Sequence, residues 1–299
     1  MTGNRDFQVK GATDMPPIDS KQYINQQRQD WNRVAPAWEK WDHQLDQNLS
    51  FINHRLIGDA RLSAGQRVLD LGCGTGYPAI LAAQAVGGHG RVIALDLAEG
   101  MLAIARRKAK EAGILNIQFQ AEDATMLPFD SASFDAVISR FCLMFLPEIP
   151  RAVAEVARVL RSGGYIAAAV WSTPDKNPFI RIPIDIIKKF IEVPAPVPDQ
   201  PGIFRLAKPK DLLGIMEGAG LHGIADEEVA GESLFETAEE YLANIKEIAA
   251  PLQPLFARLT PAEREEAEAG IKHTVNQYQQ GGRISLPMAF RIVVARKSP

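Results

Sequence analysis

The chain has little sulfur. Only two cysteines, Cys73 and Cys142, occur in 299 residues. They make neither a metal-ligand spacing nor a disulfide framework, which fits a reducing compartment such as the cytoplasm. Long apolar runs are missing as well. No stretch approaches the roughly 20 residues that cross a bilayer, so integral membrane association is not expected. Met1 to Ser20 is polar and lacks the apolar segment of a secretory leader. Charge of one sign is not in excess: 33 Lys and Arg face 36 Asp and Glu, and a net charge of -3 leaves no electrostatic footprint for nucleic acid. The dense basic run Arg106-Arg107-Lys108-Ala109-Lys110 reads as the solvated face of a helix. No Gly-Lys-Ser/Thr follows a glycine turn, which excludes a phosphate-cradling P-loop. Internal repeats are absent. What remains, 46% hydrophobic and 23% charged, is an ordinary globular composition for one large or two small domains.

The informative stretch is V-L-D-L-G-C-G-T-G-Y-P-A-I, from Val68 to Ile80. Val68, Leu69 and Leu71 form the short apolar run of a buried parallel strand. Gly72, Gly74 and Gly76 follow at alternate positions, then a helix from Tyr77 to Val86 that ends at Gly87-Gly88. Strand, glycine turn and helix open a nucleotide-binding βαβ unit, where glycine allows a tight turn and close approach of backbone to ligand. The dinucleotide fingerprint is G-x-G-x-x-G, and here the third glycine comes one residue early. Asp70 lies two residues before the first glycine. A carboxylate there repels a pyrophosphate but suits a ligand with an ammonium group. A second strand, Arg91 to Leu97, carries Asp96 near its end, twenty residues after Gly76, where an acid binds a ribose diol. Asp70, the glycines and Asp96 together point to a cationic nucleoside. S-adenosylmethionine has an amino acid at one end, ribose and adenine at the other, and a sulfonium between.

D-L-G-C-G-T-G resembles the first motif of the class I S-adenosylmethionine-dependent methyltransferases. The resemblance covers about the first 170 residues and is nearest to the small-molecule branch, the ubiquinone/menaquinone C-methyltransferase-like group. It implies that Cys73, Thr75 and Leu97 join Asp70, the glycines and Asp96 around the cofactor. Met101 is positioned to pack on the adenine. A-E-D-A-T-M-L-P-F looks like the family's G-D-A-x-x-L-P-F segment, which puts Asp123 and Ala124 beside the adenine. After a fourth strand, Phe134 to Ser139, the resemblance sets Ser139 and Arg140 at the methionine end and Phe141 and Met144 toward the substrate. W-N-R-V-A-P-A-W-E is similar to a family segment that lies over the pocket, with Trp31 and Trp38 where tyrosines are usual. Arg161-Ser162-Gly163-Gly164 reads as the end of the helix before a fifth strand, Tyr165 to Trp171, and Trp171 at the end of that strand is added to the substrate pocket. The implied partner is a small molecule.

An N/D-P-P-Y motif, a Pro-Cys motif and a D-N pair after the fifth strand are all missing, so the resemblance does not extend to amino-group DNA methylases, pyrimidine methylases or the magnesium-dependent catechol class. No metal is expected. His43, His54, His89, His222 and His273 are scattered, and none is nominated as a base. An O- or N-methyltransferase of a natural product, a non-catalytic S-adenosylmethionine-binding subunit and an NAD oxidoreductase stay as alternatives.

The expected fold is α/β, a Rossmann-like, doubly wound, mostly parallel sheet with an antiparallel last strand. Residues 1–19 read as a disordered tail and 20–62 as N-terminal helices. One helix spans Lys21 to Gln44, kinked or divided at Pro36, and a second runs from Ser50 to Leu62. The core covers 63–235 and 284–299. Residues 236–283 form a helical lid, whose helix from Thr260 begins with a capping box and ends at Gly281-Gly282. The two closing strands are placed at Gly223 to Val229 and Phe290 to Ala295.

Overall fold

A computed structural model describes residues 19–197 and 199–299. The expected tail therefore lies outside the described residues, apart from Asp19, which caps the first helix. In chain order the elements are α1 (Ser20–Lys40), α2 (Asp42–Asp59), β1 (Arg67–Leu71), α3 (Tyr77–Val86), β2 (Arg91–Asp96), α4 (Glu99–Glu111), β3 (Ile117–Ala121) and β4 (Phe134–Arg140). Then follow α5 (Ile149–Val159), β5 (Leu160–Trp171), α6 (Pro178–Ile187), α7 (Asp211–Gly218), β6 (Leu221–Phe235), α8 (Ala238–Ile248), α9 (Gln253–Ala257), α10 (Pro261–Asn276), β7 (Gln279–Gln280) and β8 (Arg283–Lys297).

The sheet order is β3-β2-β1-β4-β5-β8-β6, with β7 paired to β8. Strands β1 to β5 are parallel, and β8 runs antiparallel between β5 and β6. The order reverses between β1 and β4. A crevice opens outside the carboxyl ends of the strands at such a switch point. The central strands are apolar on both faces because helices cover both. Leu69, Leu71 and Val137 face one layer, and Val68, Ala136 and Ile138 the other.

Four readings of the sequence need correction. Pro36 does not divide α1. Its ring removes one backbone donor, but a buried stripe including Val34 and Ala35 holds the helix through it, and the break comes at Trp41. The second helix then begins at Asp42 rather than Ser50. Arg161-Ser162-Gly163-Gly164 does not precede β5; it is a bulge inside it, where the register with β4 shifts. Gly281-Gly282 does not end α10. Both have positive φ, 58° and 85°, and they form the two-residue turn of the β7–β8 hairpin.

The largest difference is in β6 and β8. Both are 15 residues long, and they stay paired to Phe235↔Ile284, well past Trp171↔Phe290 where β5 ends. This two-stranded arm carries α8, α9 and α10 beyond the sheet. Those helices share a core with α6: Ile182, Ile186 and Ile187 pack with Tyr241, Phe256 and Ile271. The capping box of α10 is present, with Thr260 and Glu263 bonded reciprocally. The basic run on α4 is ion-paired: Arg106 with Glu99, Arg107 with Glu39, and Lys108 with Asp42 at 2.8 Å.

Candidate active site

The glycine loop after β1 is shaped by three different constraints. A Cβ on Gly72 (φ +71°) would lie 2.4 Å from Cys142 Cβ. One on Gly76 (φ +94°) would lie 2.9 Å from Ala105 Cβ on α4. Gly74 (φ +53°) has open space around it but needs the left-handed conformation. The N–H groups of Gly72 and Cys73 both donate to Leu95 O at 2.8 Å, so the loop is laid across the end of β2. Asp96 completes the clamp. Its carboxylate accepts from Gly74 N–H and from Ala98 N–H, each at 2.9 Å. Burial pushes its pKa up, and these backbone bonds pull against that shift.

Asp70 sits one layer below. It is fully buried, and neither carboxylate oxygen has a hydrogen-bond partner among the described residues. Burial raises its pKa to about 7; Arg140 opposes the shift and Asp96 adds to it. The Arg140 guanidinium donates to Asn53 Oδ1 at 2.8 Å, and burial lowers its pKa while Asp70 and Asp46 pull it back.

A single cleft opens above the loop. Its floor includes Gly72, Cys73, Gly74, Thr75, Asp96 and Leu97, with Met101, Asp123, Ala124 and Arg140 beside them. Asp123 Oδ1 accepts from Thr125 N–H at 2.8 Å, an Asx-type turn that fixes the carboxylate at the end of β3. Aromatic rings line the far wall. Phe141 and Trp171 stack at 4.1 Å with their planes 2° apart, and Trp31 meets Trp38 and Phe145 edge to face. Phe141 has φ +55°, a conformation costly for a bulky residue, held by that stack and by its N–H bond to Ala169 O.

Helix α1 forms part of the roof. On one side Asn32 Oδ1 accepts from Gly100 N–H of α4 at 2.7 Å. On the other, Trp38 Nε1 donates to Ile248 O at 3.1 Å, Trp41 Nε1 to Glu247 at 2.7 Å, and Lys40 pairs with Glu247. The helix thus bridges the βαβ core and α8.

Four residues singled out from the sequence do not line the cleft. Asp70 lies beneath the loop, and Gly76, within it, is packed against Ala105 of α4. Ser139 is fully buried and donates to Leu71 O at 3.0 Å, cross-linking β4 to β1. Met144 is enclosed in the core beside Leu143 and Leu146. Several lining residues had not been anticipated: Tyr23 and Gln27 on α1, Phe145 and Phe179, and a polar group of Gln44, Asn48, Ser233 and Asn244. Tyr23 and Gln27 continue the Trp31 stripe at intervals of four, a helical signal that could have found them. No sequence signal marks the polar group.

Residues 68–164 match the family described as "Methyltransferase domain". That match covers about a third of the chain. Among curated relatives, aklanonic acid methyltransferase DauC of Streptomyces sp. (strain C5) is 40% identical over 116 residues, which is 39% of this chain and 53% of that protein. Demethylmenaquinone methyltransferase of Listeria welshimeri is 35% identical over 151 residues, 48% of this chain and 64% of that one. The chain thus spans between half and two thirds of the length of these relatives. Among solved structures, Haemonchus contortus phosphoethanolamine N-methyltransferase 2, in complex with phosphomonomethylethanolamine and S-adenosylhomocysteine, aligns with TM-score 0.56 at 18% identity, over 95% of this chain and 62% of that one. That likeness speaks for the fold. The matched segment runs from β1 to the β5 bulge, so it contains the glycine loop, Asp96, Asp123 and Arg140, while α1 and α8 lie outside it. Among the described residues no helix is long and apolar enough to cross a membrane.

Proposed function

We propose that the chain transfers a methyl group from S-adenosylmethionine to a small-molecule acceptor. One observation carries the reading: the glycine loop and the strand-end acids open onto the same cleft as the stacked aromatic rings. A nucleoside and a flat acceptor can therefore meet there. The residues fit the cofactor. Gly74, with open space where a Cβ would stand, leaves no side chain between loop and ligand, Asp96 and Asp123 present carboxylates at adjacent strand ends, and the unpartnered oxygens of Asp70 supply negative potential below. In this reading Asp96 accepts from the ribose diol, Met101 and Leu97 pack against the adenine, Asp123 receives its amino group, and Asp70 and Arg140 flank the amino acid end.

When bound, S-adenosylmethionine supplies an activated methyl for in-line displacement. The protein's part is then to align acceptor and methyl and to exclude water. Trp31, Trp38, Phe141 and Trp171 do both by walling the cleft with flat apolar surface. No histidine lines it among the described residues, which favours an acceptor whose nucleophile needs no such base: an electron-rich carbon, or an oxygen that ionises in solution. The names of the relatives, a menaquinone precursor methylase and an aklanonic acid methylase, agree with a ring-bearing acceptor of this kind.

Isothermal titration with S-adenosylhomocysteine and with NAD tests the cofactor. Binding of the former alone is expected, and binding of NAD alone overturns the reading. Transfer of labelled methyl from S-adenosylmethionine to a panel of carbon, oxygen and nitrogen acceptors then identifies the chemistry.

A further inference from the structure

The lid end of the cleft differs in kind from its floor. The four charged residues that line the cleft, Asp96, Glu122, Asp123 and Arg140, all lie at or just beyond the ends of β2, β3 and β4. Among the described lining residues, those where β6 and α8 close the cavity are apolar side chains and the polar group Gln44, Asn48, Ser233 and Asn244; Glu236, Glu240 and Arg283 stand outside it, in an adjoining pocket that shares Gln44, Asn48 and Phe235.

Within that group the hydrogen bonds are unevenly spent. Asn48 is fully used: its amide nitrogen donates to Ser233 Oγ at 3.2 Å and to Leu234 O at 3.4 Å, and its oxygen accepts from Leu234 N–H at 3.1 Å. Those bonds pin α2 to the β6 arm. Ser233 accepts from Asn48, but among the described residues its own O–H has no acceptor. Asn244 makes one long contact, donating to Gln44 Oε1 at 3.5 Å, and its side-chain oxygen has no donor. Yet Ser233 is only 5% exposed and Asn244 only 4%, and both line the cleft. A hydroxyl and an amide oxygen with unspent valences at the wall of a cleft are free to meet a polar group of whatever occupies it. Asn244 is not needed as a fastener, because α8 is already tied to α1 through Ile248 O and Glu247, and Ser233 fastens α2 only as an acceptor, which leaves its O–H free to donate.

We infer that Ser233 and Asn244 recognise a polar oxygen, a hydroxyl or a carbonyl, on an uncharged, flat aromatic acceptor. The inference rests on the methyl-transfer reading above and deepens it. The aromatic walls accommodate the ring, the absence of a charged side chain among the described residues lining this end disfavours an ionic substituent, and the unspent donor and acceptor complement a hydroxyl or carbonyl oxygen. A site built to hydrogen-bond such a group discriminates strongly against the analogue that lacks it, since the buried groups are then left unpaired. Ser233 and Asn244 thus set specificity; neither performs the transfer.

The test uses the full chain saturated with S-adenosylhomocysteine. Relaxation-edited NMR measures the affinity of 1-naphthol, 2-naphthol and naphthalene. At least one naphthol is expected to bind at least fivefold more tightly than naphthalene. Asn244→Leu should erase that preference while naphthalene stays within twofold of its original affinity. Asn244→Asp, which keeps an acceptor oxygen, should retain part of it, and Ser233→Ala should reduce it. A preference absent from the unsubstituted protein, or intact in Asn244→Leu and Ser233→Ala, overturns the inference. So does an equal loss for naphthol and naphthalene. Calorimetry with S-adenosylhomocysteine is run on every variant. Retained nucleoside affinity with no naphthol preference sinks only this inference, whereas no nucleoside binding in the unsubstituted protein sinks the methyl-transfer reading beneath it.

Discussion

Asp70 offers the sharpest test of the electrostatics under the glycine loop. It lies on β1 between Ala94 of β2 and Ile138 of β4, fully buried, with both oxygens unpartnered. Its pKa is raised from 3.8 to about 7, with burial outweighing the attraction of Arg140. The folded state therefore holds this proton more tightly than the unfolded chain does. Below the unfolded value both states are protonated and ionisation costs nothing. As the pH rises from about 4 to about 7 the folded state is progressively penalised, and above about 7 the penalty is complete. About three pK units at 1.36 kcal/mol each give ~4 kcal/mol, undiminished by solvent because the group is enclosed. Asp70→Asn removes that charge and leaves an amide whose unmet hydrogen bonds cost ~1–3 kcal/mol at every pH. The variant should then be more stable than the parent by ~1–3 kcal/mol at pH 8, a rise of about 2–4 °C per kcal/mol. At pH 4.5 the advantage should vanish or reverse. Affinity for S-adenosylhomocysteine at pH 8 should move the other way, falling about tenfold or more, because the buried charge is what attracts the ligand's ammonium. Calorimetric melts and titrations at the two pH values decide the matter. A variant that is less stable at pH 8, or whose difference from the parent does not change with pH, refutes the reasoning.

Asp96 both clamps the loop and faces the cleft, so Asp96→Ala should lower the melting temperature and also weaken S-adenosylhomocysteine binding by about a hundredfold, at ~1.5–3 kcal/mol per bond to the carboxylate. Asp96→Asn keeps one acceptor and should lose less on both counts; a lower melting temperature with unchanged affinity reduces Asp96 to a loop clamp. Gly72→Ala and Gly74→Ala share the cost of a positive φ, ~1–3 kcal/mol, but only the first also drives a methyl into Cys142, for ~1–3 kcal/mol more. Urea melts should rank Gly72→Ala as the more damaging, and equal losses would contradict the close packing of that loop. Trp38→Phe keeps the ring and deletes the N–H bond to Ile248 O, worth ~0.5–1.5 kcal/mol. Amide exchange in α8 should quicken in that variant, and exchange rates that do not change argue against α1 as the tether of α8.

The order of strand and helix from Arg67 to Trp171 was legible element by element, with the start of β5 misplaced. The central strands β1, β2 and β4 are short apolar runs and α4 and α5 are amphipathic, so the local pattern already says which faces must be buried, and a parallel sheet covered on both sides follows. The same locality let the glycine loop, Asp96 and Asp123 be read as neighbours, since the βαβ connection sets consecutive strand ends side by side. Beyond β5 the local code thins. The outer strand β6 carries Asp226, Glu227 and Glu228 along a partly exposed edge, so nothing in its pattern signals 15 residues of strand, and only its ladder with β8 extends the arm. Side-chain direction was equally hidden: Ser139 and Met144 follow the motif, but the strand pairing and the turn after β4 aim them inward. The end of the cleft closed by β6 and α8 has no local signature at all. Asn48 and Ser233 meet across 185 residues. Periodicity records which face of an element avoids water. Which distant faces share a cavity is decided when the elements pack, by shape and by the hydrogen bonds that buried amides require.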